Sequence, residues 1–517
     1  MANKLQFLKI PNFTGGVNFY SGQTEIKDTE VSDMLNMDFV GATGLTKRDG
    51  YTTFGNSVDS KVTGLAWFKT DSYNEILRTS GRNLYRYVTA SWYTIGGASL
   101  SNNLDTNFAQ AQDKLFIFNG TDYISVYPGN GASYSQITAS NPPKANYGIY
   151  YNQRIYCNDS THNSRIYYTG TASYITSFNT ASPAWGGYID FLPGAGKKVM
   201  GTTKFGNYLY IFLENSFYRI SPLSGTGATN ALDHTVEMVS ATKGTIAHRS
   251  IDQVQNDVFF ADEEGINRLG EQPNFVSIRT TDLSLRIKPK LDTVVGSSQP
   301  KVSGIYYNYK YLYSYAESGA TYNTKVLAYD VRYNSWLYWD NINANCWLDT
   351  YDTSSERHLY FGSDNSGQVY EMFQTTNDNG VAIDGQFTTK AYNLGEFSLE
   401  KLWTDVSVLF GRVYGNVDID TYIDDNTISK SVTFGSSGSG GIGTFAIGLY
   451  PIGMAPYASI TSALANDWMY YEVATDGTKL QLKFSNNNVS ESFQVEGVKL
   501  SFKPFTHYKR EADREII

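Results

Sequence analysis

Tyr208-Leu-Tyr-Ile-Phe212, a turn containing Asn215, and then Phe217-Tyr-Arg-Ile220 are two short apolar-aromatic runs hinged on a polar turn, which reads as a β-hairpin. The same arrangement returns on both sides of it. Upstream stand Gly64-Leu-Ala-Trp-Phe68 with Glu75-Ile-Leu-Arg78 and Asn83-Leu-Tyr-Arg86, then Phe108-Ala-Gln-Ala111 with Lys114-Leu-Phe-Ile-Phe118 and Tyr123-Ile-Ser-Val126. Tyr147 to Tyr151 follows, with Arg154-Ile-Tyr156 and Arg165-Ile-Tyr-Tyr168. Downstream stand Val258-Phe-Phe-Ala261 with Gly265-Ile-Asn-Arg268, Tyr311-Leu-Tyr313 with Lys325-Val-Leu-Ala-Tyr329, and Leu359-Tyr-Phe361 with Gln368-Val-Tyr370. Units about 40 to 50 residues apart have the period of propeller blades. A lone four-stranded sheet cannot bury its own faces, so closing the units into a ring is what creates a core. The expected fold is all-β, with a propeller of six or seven blades over residues 59–378.

Past residue 380 the strands lengthen and alternate more cleanly. Val417-Asp-Ile-Asp-Thr-Tyr-Ile423 swaps apolar and polar residues with period two, as a strand with one wet face does. Residues 379–505 are expected to form an antiparallel β-sandwich, interrupted by the Gly-rich loop Gly435-Ser-Ser-Gly-Ser-Gly-Gly-Ile-Gly443. Residues 506–517 form a tail, and residues 1–58 an N-terminal arm with a short helix at about 29–35.

Composition agrees. A chain of 517 residues exceeds the roughly 250–300 that one core can fill. Aromatics reach 15%, with 41 Tyr and 28 Phe, while charged residues stand at 18%, below the usual figure of about 25%. That balance suits half-buried strands and opposes disorder. Two cysteines, Cys157 and Cys346, exclude a disulfide framework and fit assembly in a reducing cytoplasm. No signal peptide and no membrane span is expected. At a net charge of −9, with only short basic clusters, the chain lacks the basic stripe of a sequence-reading nucleic-acid binder.

The first fifty residues carry a further pattern: Phe13-Thr-Gly-Gly-Val-Asn18, Glu30, Asn36-Met-Asp38 and Arg48-Asp-Gly50, all ahead of the Tyr-rich array. This segment resembles the N-terminal part of the tail hub, nozzle or DNA-stabilisation proteins of short-tailed bacteriophages. The resemblance covers about a tenth of the chain. It implies a homo-oligomeric, sixfold ring in the virion tail, with portal, adaptor and other tail proteins as partners. It also implies transient contact with genomic DNA, without sequence preference, during ejection. Under it Gly15, Gly16, Asn18, Glu30, Asn36, Asp38 and Arg48 serve turn geometry or subunit contact, the bland alternative being folding within one chain. Six copies at −9 each would carry roughly −54, mostly screened beyond about 8 Å, and acidic residues are expected to line the channel so that DNA slides. Leu192 to Lys198 and the loop 435–443 are candidate gates. Leu327-Ala-Tyr-Asp-Val-Arg-Tyr-Asn-Ser-Trp336 also resembles half of a kelch blade, which supports the propeller and nothing about partners.

Chemistry is sparse. The five histidines, His162, His234, His248, His358 and His507, stand in no nucleophile signature, and two lone cysteines cannot build a zinc knuckle. Asp418, Asp420, Asp424 and Asp425 cluster oxygens without a calcium-loop pattern. Asp262-Glu-Glu264 and Ser363-Asp-Asn-Ser-Gly367 read as turns more simply than as a glycosidase acid pair or a sialidase box. No catalytic residue, metal or cofactor is expected. Two other classes stay open: a glycan-binding propeller that uses Tyr306, Tyr307, Tyr311, Tyr313 and Tyr315, or, with less support, a propeller glycosidase.

Overall fold

The computed structural model describes residues 4–505 apart from 59, 140–141, 182–184, 192–196, 222–233, 272–277, 295, 353, 425–427 and 436–466. Two compact units emerge. One comprises 52–326 and 341–372; the other comprises 1–51, 327–340 and 373–517.

The first unit is built from antiparallel meanders. Val62–Lys69, Asn74–Ser80, Asn83–Val88 and Ser91–Ile95 form one four-stranded sheet in chain order. Equivalent sheets begin at Asn107, Gly148, Val199 and Asp252. The strands Ser303–Tyr307 and Ala344–Tyr351 open further hairpins of the same kind. Each opening strand adjoins the next along the chain, the step from Val199–Phe205 passing through the 3-10 turn His248–Ser250, and Ala344–Tyr351 returns to Val62–Lys69. The circuit closes, and the unit is a β-propeller. Its apolar clusters lie between sheets. Phe116, Phe118 and Val126 pack with Ile155, Cys157 and Phe178, and Tyr210, Phe212 and Phe217 pack with Val258, Phe260 and Leu269. Ring closure therefore supplies the core that no single sheet could make. At the seam, Gln368 Nε2 donates to the carbonyls of Phe54 (3.4 Å) and Gly55 (3.1 Å), which ties the start of the unit to its last strands.

The second unit holds two six-stranded sheets. One runs Asp467–Gly477, Lys401–Tyr414, Ser492–Pro504, Gly44–Lys47, Met37–Val40, with Gln6–Ile10 also paired to Ser492–Pro504. The other runs Gly16–Val17, Glu30–Leu35, Gly385–Thr389, Leu480–Asn486, Asn416–Ile423, Ile428–Gly435. Strands of the first fifty residues complete both sheets, so this segment is not an arm by itself, and the division of the chain departs from boundaries at 58 and 378. The helix expected at 29–35 is a strand. Glu30 and Val31 pair in parallel with Gly16 and Val17, and Val31 to Leu35 pair with 386–389; these tertiary ladders outweigh the weak local helix preference. The alternation read in Val417–Ile423 is present, with Val417, Ile419 and Ile423 buried and Asp418 exposed.

Candidate functional site

Asn36 is the pivot of the N-terminal pattern. It occupies positive φ (52°) between two strands, a conformation that Asn tolerates better than most residues. Its Nδ2 donates to Asp340 Oδ1 (2.6 Å) and the Asp384 carbonyl (3.0 Å), and its Oδ1 accepts from Arg48 Nε (2.9 Å) and the Asp340 amide (2.9 Å). Arg48 completes the knot. Nη1 and Nη2 donate to the two Asp378 oxygens at 2.9 and 2.6 Å, and Nη2 also donates to the Asp340 carbonyl (3.0 Å). Both side chains of this pair are 0% exposed. A bidentate geometry with further acceptors is what a buried ion pair needs to offset desolvation. Beside it, burial pulls the Lys47 ammonium down to about 8, against the opposing pull of Glu491 and Asp384.

A second cluster gathers Gly15, Gly16, Asn18 and Glu30. Glu30 Oε2 accepts from Asn18 Nδ2 (3.0 Å) and the Lys27 amide (3.1 Å), while Asn18 Oδ1 accepts the amides of Tyr20 and Ser21. The Gly15 amide donates to the Thr29 carbonyl (3.1 Å). Gly16 has φ +67°, and a Cβ there would stand 2.6 Å from the Trp336 carbonyl oxygen. Only glycine fits. Asp38 Oδ1 accepts the Phe39 amide (2.7 Å). These contacts are made within one chain. Asp340, Asp378 and Asp384 were not legible as partners, because each lies some three hundred residues from Asn36 and Arg48 and belongs to no local motif.

In the propeller unit the polar centre is Arg249, which sequence reasoning also missed. It leaves the 3-10 turn His248–Ser250 beside a cavity of about 310 Å³ lined by Trp67, Phe108, Gln110, His248, Ile251 and Trp347, among others. Among the described residues that line this cavity there is no carboxylate. His248 stacks on Tyr147 with centroids 4.3 Å apart, and burial, with Arg249 adding to it, lowers its pKa to about 3. Asp105 lies 3.7 Å from Arg249 and 3.2 Å from Lys61. Burial alone would raise its pKa, but Arg249, Lys61 and the Asn345 amide outweigh that and hold it low.

The remaining candidates resolve as structure. Tyr311, Tyr313 and Tyr315 are buried, and Tyr311 Oη donates to the Ser250 carbonyl (2.5 Å). They are core residues and offer no sugar-stacking rim. Tyr307 Oη donates to the Arg357 carbonyl (2.8 Å). Asp262 Oδ1 caps the amides of Glu264 and Gly265, and Lys243 bridges Asp262 and Glu264 at 2.8 and 2.6 Å. Asp364 Oδ2 accepts the Asn323 amide (3.0 Å), and Asp424 accepts the amides of Thr478 and Lys479. In the kelch-like stretch Asp330 caps Arg332, Asn334 turns at φ 51°, and Trp336 is buried against Tyr329. Asp352, Glu356 and His358 bring ligand atoms within 4.8 Å of one another, but Asp352 is already engaged with the amides of Ser354 and Glu356, and His358 with Glu371. Cys157 and Cys346 are buried free thiols. Asp425, His507, the tail 506–517, residues 192–196 of one candidate gate and residues 436–443 of the other lie outside the described residues. No described helix is long and apolar enough to cross a membrane.

No protein-family model matches the chain, and no curated protein matches its sequence. Among solved structures it is similar to YCF48 from Cyanidioschyzon merolae, at 12% identity and TM-score 0.39 over 62% of this chain and 98% of that one. It is also similar to the β-propeller domain of Cps50 (Swd1) from Myceliophteria thermophila, at 7% identity and TM-score 0.41 over 62% and 99%. A third likeness is the computationally designed Ika8 protein, at 10% identity and TM-score 0.35 over 69% and 98%. Likenesses this distant say nothing of function.

Proposed function

We propose that this chain is a structural, non-enzymatic protein of a short-tailed phage virion, a tail hub or nozzle subunit that retains genomic DNA and conducts it during ejection. The reading takes the propeller as seven-bladed, one blade for each opening strand in the closed circuit, and takes the two six-stranded sheets as a sandwich. A hydrogen bond between Thr421 and Tyr471 hydroxyls (2.7 Å) and the Phe410–Phe434 ring contact (5.8 Å) favour face-to-face packing of those sheets. The observation that carries the functional reading is the N-terminal pattern itself. Its residues stand ahead of a propeller, as the resemblance requires, and Asn36, Arg48, Asn18 and Glu30 each have specific buried partners. Among the described residues lining the cavity there is no carboxylate, so that cavity does not offer the two facing acids that the alternative glycosidase reading needs.

Subunits would assemble into a ring of about six with portal and adaptor proteins as neighbours. In this reading DNA follows the axis of the ring and not the cavity beside Arg249, whose volume of about 310 Å³ is far too small for a duplex. Native mass and particle imaging, with and without the portal assembly, test this. Rings with an open axis are the expected result. A chain that stays monomeric beside the portal and binds glycans would overturn the reading.

A further inference from the structure

The guanidinium of Arg249 sits in a cage of oxygens drawn from three separate strands or their leading residues. Nε donates to Asn107 Oδ1 (3.0 Å), Nη1 to the Asn345 carbonyl (3.2 Å), and Nη2 to the carbonyls of Thr63 (2.6 Å) and Thr106 (2.7 Å). Asp105 Oδ1 supplies the negative charge at 3.7 Å from Nη1. Planar donors spread over four acceptors match a guanidinium and not a compact ammonium.

The cage is oriented by bonds that do not involve Arg249. Asn107 Nδ2 donates to the Asn146 carbonyl (2.9 Å), and Asn345 Nδ2 to the Val62 carbonyl (2.8 Å) and to Asp105 (3.1 Å). Lys61 also holds Asp105. Cutting back the arginine would therefore leave several half-buried acceptors facing one space, of which the Thr63 carbonyl would keep the Thr106 amide (2.9 Å) as a donor, and the acceptors that lose their donor there would carry a desolvation cost. The adjoining cavity gives a small ion its way in.

We propose that this cage is a built guanidinium site, filled from within the chain by Arg249, which a free guanidinium ion will occupy once that side chain is removed. The arginine is a positioning residue for the ring. It crosses from the turn at 248–250 to Val62–Lys69 and Ala344–Tyr351, the two strands whose meeting closes the circuit. The inference is independent of any role in a virion.

The test compares thermal unfolding of the full chain and its Arg249→Ala variant in guanidinium chloride at about 10 mM, far below the molar denaturing range, against equal sodium chloride. The variant should melt about 5 °C or more below the parent, and guanidinium should raise its midpoint along a saturating curve while leaving the parent unchanged. Methylguanidinium should act similarly and ammonium should not. Equal, non-saturating falls in both proteins would overturn the proposal. If Arg249→Ala yields no soluble protein, Asn107→Ala and Arg249→Lys are measured instead. Each should be less stable than the parent, and their effects should fall short of additive in the double variant. Full additivity would count equally against the site.

Discussion

Arg48 and Asp378 meet through two parallel hydrogen bonds of 2.9 and 2.6 Å, in a place where neither side chain touches solvent. They are separated by 330 positions in sequence, and the pair ties the first fifty residues to the turn at Asp378–Val381, ahead of the strand Gly385–Thr389. Removing one partner strands a buried charge, so Arg48→Ala should cost about 3–5 kcal/mol in urea unfolding. Arg48→Lys should recover little of it, because an ammonium cannot engage Asn36, Asp378 and the Asp340 carbonyl together. A loss under about 1 kcal/mol would mean that the pair is solvated in solution.

Gly16 and Gly41 both have positive φ, +67° and +59°, but only Gly16 is crowded. Gly41→Ala should cost about 1–2 kcal/mol, the backbone penalty alone. Gly16→Ala meets the Trp336 carbonyl as well and should be distinctly worse, by the same unfolding measurement. Equal losses would show that the approach to Trp336 is relaxed in solution.

Two groups in the propeller unit give opposite pH dependences. Burial pushes Asp252 up to about 6, moderated by the amides of Tyr306 and Gln253, and Asp349 and Arg357 add opposing effects. Its folded pKa lies above its unfolded value, so its contribution to stability is present in acid and is lost as pH rises through about 6. His248, held down to about 3, titrates the other way: the unfolded chain takes up its proton first, and stability falls as pH drops below about 6.5. Asp252→Asn should steepen the loss of stability towards acid, and His248→Gln should flatten it. Unchanged profiles for both variants over pH 4 to 7 would mean that neither group is shielded as described.

Tyr311→Phe tests the placement of the tyrosine stripe. Its hydroxyl bonds the Ser250 carbonyl inside the core, so its loss should cost about 1–2 kcal/mol. A neutral substitution would return this residue to the surface and to the glycan-binding reading.

Much of the propeller was visible in the chain because its cause is local. The hairpins at 107–118, 208–220 and 257–271 each announce themselves by short aromatic runs and polar turns, and their strands fall where those runs lie. The opening strands at 199–205, 252–254, 303–307 and 344–351 were missed, since Gly, Thr, Asn and Asp dilute their apolar pattern. They face the axis, where carbonyls and short polar side chains stitch neighbours together. The N-terminal arm and its helix were misread for a related reason: the strand at Glu30–Leu35 exists only because Gly385–Thr389 lies beside it.

The sequence by itself determined the all-β class, the repeating period and the closed, aromatic-rich character of the propeller, because strand alternation and turn chemistry are written within about ten residues. It took the fold to bring the first fifty residues together with the described residues from 373 onward, to put Tyr311, Tyr313 and Tyr315 in the core, and to make Arg48 and Arg249 polar keystones. A guanidinium withdrawn from water, fully at Arg48 and largely at Arg249, is stabilised by acceptors wherever the fold delivers them. Asp378 and the carbonyls of Thr63, Thr106 and Asn345 come from distant parts of the chain, and no local pattern encodes their convergence.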